Sequence, residues 1–310
     1  MAKNSAMVEW VFWQFVKVRV IRLYPLIVLG TLFGTVSMFG HVHNIQATGK
    51  IDPHITATYT ALLLSLPMGL LLLPFGPLGI SIMPLDIPLW SLFFELIANF
   101  VYAGIVRFLT PSMLGIVIAL SAVIFIAQAL IYGKLDSGLL DTRFFLGFAR
   151  VFASFFIGVA LFRLYRRGIF DWLPGVSGLV LGGLLLASFF VPVFKGDIIY
   201  CLASIFVIYP LIIVCGLSDV VAARWRPAVA MAGRLSYPVY ALHKPFIDHL
   251  TKLHRFHGAA RVGELAGIIG IVCVIGYVAT VLYDEPVRRW LGARMRRTNA
   301  PVASLAVTSD

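Results

Sequence analysis

PLWSLFFELIANFVYA, residues 88–103, decides the fold. The stretch is apolar enough to enter a bilayer, yet Glu95 stands in its middle, with Ser91 four residues before it and Asn99 four after. On a helix that i, i+4, i+8 spacing stacks three polar side chains into one stripe along an apolar cylinder. A carboxylate in hydrocarbon costs about 2.5–3.5 kcal/mol on insertion scales. The rest of the protein is expected to offset that cost. Trp90, at the head of the same segment, reads either as an interfacial aromatic or as part of the polar site.

The chain around it is of the same kind. Of 310 residues 60% are hydrophobic and 13% charged, too few charges to coat a soluble surface. The composition is that of an integral membrane protein with several spans. The formal charge of +11 does not require nucleic acid. Basic residues cluster beside apolar runs (Lys17, Arg19 and Arg22; Arg163, Arg166 and Arg167; Arg288, Arg289, Arg294, Arg296 and Arg297), the pattern that retains loops on the cytoplasmic side. Cys201, Cys215 and Cys273 lie in apolar runs and form no CxxC pair, so they read as small buried hydrophobes and not as a disulfide or metal framework. The first twenty residues lack the layout of a signal peptide.

Windows of about 20 apolar residues fall at 23–40, 57–83, 88–106, 112–132, 147–165, 174–194, 198–217, 230–249 and 264–283. They predict an all-α, polytopic bundle of eight or nine membrane segments in one domain, 1–297, with a disordered tail, 298–310. Placing the arginine-rich end inside and walking back one crossing at a time puts residues 84–87 outside. Lys17 to Arg22 then come out inside only if 57–83, interrupted by PFGP, returns to its own face or crosses twice.

Three further polar groupings stand in apolar surroundings. Arg150, Ser154 and Gly158 repeat the i, i+4, i+8 spacing. Arg150 is a natural partner for Glu95 or a phosphate, and Gly158 would allow another helix to approach. Ser236, Tyr240 and His243 share a helical face in LSYPVYALHKPF, where His243 reads as a general base or as a structural hydrogen-bonder. Arg19 and Arg22, one turn apart before a span, anchor topology and could clamp a cytoplasmic phosphate. His249, His254 and His257 lack metal-site spacing and read as a solvated loop, so no metal is expected.

In this order, the groupings resemble bacterial membrane acyltransferases of acyltransferase family 3, the exopolysaccharide-modifying branch in particular. The matching residues are Arg19, Arg22, Tyr24 and Pro25; Trp90, Ser91, Leu92, Glu95 and Asn99; Arg150, Phe155, Phe156 and Gly158; Ser236, Tyr237, Tyr240, His243 and Pro245; and the closing Glu285–Pro286. The resemblance implies a multi-pass protein of the bacterial inner membrane, in contact with membrane lipid. It implies transfer of an acyl group, usually acetyl, from acyl-CoA to a sugar hydroxyl of a polysaccharide or lipid-linked sugar, with acyl-CoA as co-substrate and no cofactor. Glu95 and His243 are then the catalytic candidates, and Arg19, Arg22, Trp90, Ser91, Asn99, Arg150 and Tyr240 the substrate-binding ones.

The resemblance also implies two earlier spans, one carrying an arginine followed by a catalytic histidine, the other a glycine-rich motif. Neither is found here; His41 and His43 follow the arginine motif instead of preceding it. A shortened or misassigned start, or an inactive relative, is the corresponding expectation. A transporter of lipid-linked sugars, its pathway lined by the polar stripes, is the reading from a different class.

Overall fold

The structure, a computed structural model, describes residues 2–49, 58–79, 81–133, 135, 138, 143–173, 175–191, 198–217, 221–250 and 259–295. Among them the regular elements are all helical, and the protein is an all-α, multi-pass membrane protein. The helices are α1 (Ala2–Thr48), α2 (Tyr59–Leu70), α3 (Leu89–Ile105), α4 (Pro111–Tyr132), α5 (Phe144–Arg166), α6 (Gly178–Phe190), α7 (Ile198–Gly216), α8 (Arg226–Leu250) and α9, which begins at Ala259 and runs to residue 295. The proposed tail, 298–310, and His254 and His257 lie outside the described residues.

Each apolar window contains a helix, but the lengths differ from expectation in three places. The first window, 23–40, lies within a single helix, α1, of 47 residues, which also carries Arg19 and Arg22. At 1.5 Å per residue it is about 70 Å long, against about 30 Å of hydrocarbon. The last helix does not end at residue 283; a π-helical turn at Thr280–Asp284 takes up the missing N–H of Pro286 and the helix continues. The window 57–83 breaks as its prolines require. Helix α2 has only 12 residues, about 18 Å, too short to cross by itself. Among the described residues five helices are long and apolar enough to span: Phe12–Thr48 within α1, α4, α5, α7, and Val262–Met295 within α9.

The chain divides into two compact bodies, one of Met1–Phe93 with Met231–Asp310, the other of Phe94–Ala230. In the first, α1 packs on α2 and α9, and Leu26, Ala241, Leu242 and Ala279 form a core with Tyr237 and Phe246 against it. The connection from α2 to α3 is irregular, and its second half is buried from Ser81 to Asp86, whereas Leu71, Leu73 and Phe75 are exposed. Phe75 N–H donates to Ile82 O at 2.7 Å, closing the PFGPLGI loop, and Gly79 takes the positive φ of 78° that the turn needs. Backbone of this kind survives in a membrane protein where other protein covers it.

In the second body α4 and α5 form a hairpin. Thr110 caps α4 through its side chain and Gly133 ends it at φ 65°. Phenylalanines at 144, 148, 152 and 156 recur every four residues on α5 and pack edge to face, with centroids 5.7, 5.9 and 5.8 Å apart. Phe94 of α3 enters that row 4.8 Å from Phe148.

Candidate functional site

The LSYP–LHKP segment of α8 is the polar centre of the first body. Its two internal prolines remove helical donors, and its tyrosines bond outward to backbone carbonyls. Tyr237 O–H donates to Leu23 O of α1 at 2.7 Å, and Tyr240 O–H donates to Pro88 O, at the entry to α3, at 2.8 Å. Ser91 Oγ also lies against the Tyr240 hydroxyl and 3.3 Å from Pro88 O. The two hydroxyls thus share the Pro88 carbonyl as acceptor and touch each other beside it. Across α8, Arg234 Nε donates to Glu285 of α9 at 2.6 Å. Ser236 turns back to Gly233 O on its own helix and takes no part in the cluster.

His243 joins the cluster through its backbone neighbour. Its Nδ1 lies 2.7 Å from Tyr240 O, and its ring is 5.9 Å from the tyrosine ring. A carbonyl only accepts, so Nδ1 carries the hydrogen, and in the neutral ring the lone pair is on Nε2. That tautomer can take a proton from a hydroxyl. Trp90 is half-buried one residue before Ser91.

The Ser91–Glu95–Asn99 stripe forms on α3 as the spacing predicts; by chain division Ser91 belongs to the first body, Glu95 and Asn99 to the second. Asn99 is buried and its amide donates to Glu95 O at 2.8 Å, so it serves its own helix. The expected pairing of Glu95 with Arg150 is not observed. Arg150 Nη1 donates to Leu135 O at 2.8 Å, and no ion pair joins it to Glu95 among the described residues. Ser154 bonds back to Arg150 O. Gly158, expected at a close helix contact, faces open space: a Cβ there would meet nothing within 4 Å. On α1, Arg19 stacks 5.4 Å from the Phe15 ring and Arg22 is exposed one turn on.

The sequence reading missed Asp86, placed there in an outside loop. It is 1% exposed, and neither carboxyl oxygen has a hydrogen-bond partner. It lies outside the spanning helices. Burial pushes its pKa up from the ordinary 3.8 to about 8, helped by Asp248 and opposed by Lys244. The readable signal was an acid inside SIMPLDIPLW, an apolar run with no basic residue. Gly30 and Gly34 were missed too: a Cβ at Gly34 would lie 1.8 Å from Leu85 O, so this connection rests directly on α1.

Comparison with known proteins agrees with the motifs. The family model described as an acyltransferase domain, that of acyltransferase family 3, matches residues 7–284. The match runs through both bodies, and the chain belongs to this family of membrane acyltransferases. No curated protein and no solved structure matches the chain.

Proposed function

We propose that this acyltransferase moves an acyl group, acetyl in the simplest case, from acyl-CoA to a sugar hydroxyl of a surface polysaccharide or lipid-linked glycoconjugate at the bacterial inner membrane. The observation that carries the reading is His243 held with Nδ1 toward Tyr240 O and Nε2 free, in a chain of this family. Nε2 takes the proton of the acceptor hydroxyl as its oxygen attacks the thioester carbonyl. The C–O bond forms, the C–S bond breaks, and the proton passes to the departing thiolate of CoA. The Tyr240–Ser91 pair fixes the helix turn that carries the histidine. Arg19 and Arg22 supply the charge for the CoA phosphates.

The test is transfer of labelled acetyl from acetyl-CoA to glycan in vesicles containing the purified protein. Replacing His243 with Asn removes the base but not the size or polarity, and is expected to lower the rate on the order of 10²–10⁴-fold. An unchanged rate assigns the base elsewhere. A wild-type chain that moves glycan across the vesicle without acetyl-CoA identifies a transporter, and one that does neither is the inactive relative.

A further inference from the structure

Helix α8 contains a gap in its hydrogen bonding with a known cause. Pro245 has no N–H, so the carbonyl of Ala241 loses the donor four residues on. Ala241 is fully buried, and its oxygen cannot turn to water instead. It presses on α1 at Gly30, where a Cβ would lie 2.8 Å from it and 2.4 Å from Oδ2 of Asp86. The carbonyl and the carboxyl therefore share one bare patch of α1. If Asp86 were ionised, two acceptors would be packed together with no hydrogen between them, in a place shielded from solvent.

We propose that Asp86 is a neutral carboxylic acid that donates its proton to the Ala241 carbonyl, and that this bond latches α8 to α1 and to the turn entering α3. The glycine is part of the device, since a side chain at Gly30 would separate the two oxygens. So is the proline, which leaves the carbonyl available. The latch lies between Tyr240 and His243 in sequence, so it sets the helix turn that presents both; Asp86 is thus a positioning residue. The adjoining cavity, lined by Thr31, Ser65, Gly69 and Asp86 among others, measures about 10 Å³. That is about one water in size, so it admits no substrate.

The charged groups that act on Asp86 are both on α8. Asp248 favours the neutral acid, Lys244 opposes it, and the two pair with each other. From α1 the site receives Gly30 and Thr31, and from α2 Ser65 and Gly69, none of which titrates.

The proposal stands on these contacts and not on the transfer reaction, so it is tested on stability. The thermal unfolding midpoint of the full chain in detergent is measured from pH 5 to pH 9.5 for wild type, Asp86→Asn and Asp86→Leu. The folded chain binds the proton more tightly than the unfolded one between the ordinary pKa of 3.8 and about 8. Stability contributed by the acid therefore falls as pH rises through that window and is level above it. Wild type is expected to lose several degrees between pH 5 and pH 8 relative to Asp86→Asn. The asparagine amide still donates to Ala241 but has no proton to lose. Asp86→Leu, without a donor, is expected to unfold lower than Asp86→Asn at every pH. Parallel pH profiles for wild type and Asp86→Asn, or a leucine variant as stable as the asparagine one, would overturn the proposal.

Discussion

The two bodies of this protein bury different things. Among the described residues, both fully buried acids, Asp86 and Asp284, are in the body built from the chain ends, with Thr31, Ser65, Ser81 and Thr280. Among the same residues the middle of the chain buries Phe94, Phe125 and Phe156 completely, with Asn99, Ser121, Gln128, Ser188 and Ser204 but no charged side chain. In the first body tyrosine hydroxyls bond to backbone carbonyls of other segments; in the second a row of aromatic rings runs along α5. Polar burial is expensive unless paired, and a protein accepts it where it brings chemistry. The polar body contains the tyrosine, serine and histidine of the proposed site, while in the aromatic one Asn99 and Arg150 bond to backbone carbonyls of their own body.

That contrast can be broken by substitution. The largest effect is expected from Gly34→Ala in the polar body. Its new Cβ would meet Leu85 O at 1.8 Å, a backbone atom that cannot rotate away. The variant should yield no monodisperse protein on size exclusion, whereas Gly158→Ala in the aromatic body, with nothing within 4 Å, should elute as wild type. Next comes Phe156→Ala, which removes a fully buried ring from the aromatic row. It should cost about 3–5 kcal/mol of stability, read by unfolding, yet leave transfer per folded molecule unchanged. If transfer falls as far as stability, the aromatic body is more than scaffold. The smallest effect is on stability in Tyr240→Phe. Losing the bond to Pro88 O should cost about 0.5–1.5 kcal/mol. Transfer should fall by more than that figure explains, because His243 loses its support; equal losses would separate the tyrosine from the reaction.

How much of this could be read beforehand differs between the bodies as well. The helices were legible because a window of about 20 apolar residues has few other uses, and the break after α2 followed from prolines that cannot continue a helix. The Tyr240–His243 face was legible from spacing along one helix. Partners across helices were not. Nothing in the spacing of Arg150 distinguishes a carboxylate from the Leu135 carbonyl that it binds. Gly158 and Gly34 are the same residue in similar surroundings, and only the neighbouring backbone shows which one is obligatory. Asp86 falls in an outside loop by the count of crossings; its burial is produced by α1 and α8, more than fifty and a hundred and fifty residues away along the chain.

The division of the chain also sets an order in time. The aromatic body is one continuous stretch, Phe94–Ala230, and every residue that it needs has been made before α9 exists. The polar body needs both ends. Tyr237 lies 214 residues after Leu23, and Arg234 meets Glu285 only when the chain has run 51 residues further. Long-range closures of this kind are slow and come late. During synthesis the proposed site therefore waits, its α1 and α3 portions already made and its histidine still to come. The enzyme cannot be switched on by a half-made chain.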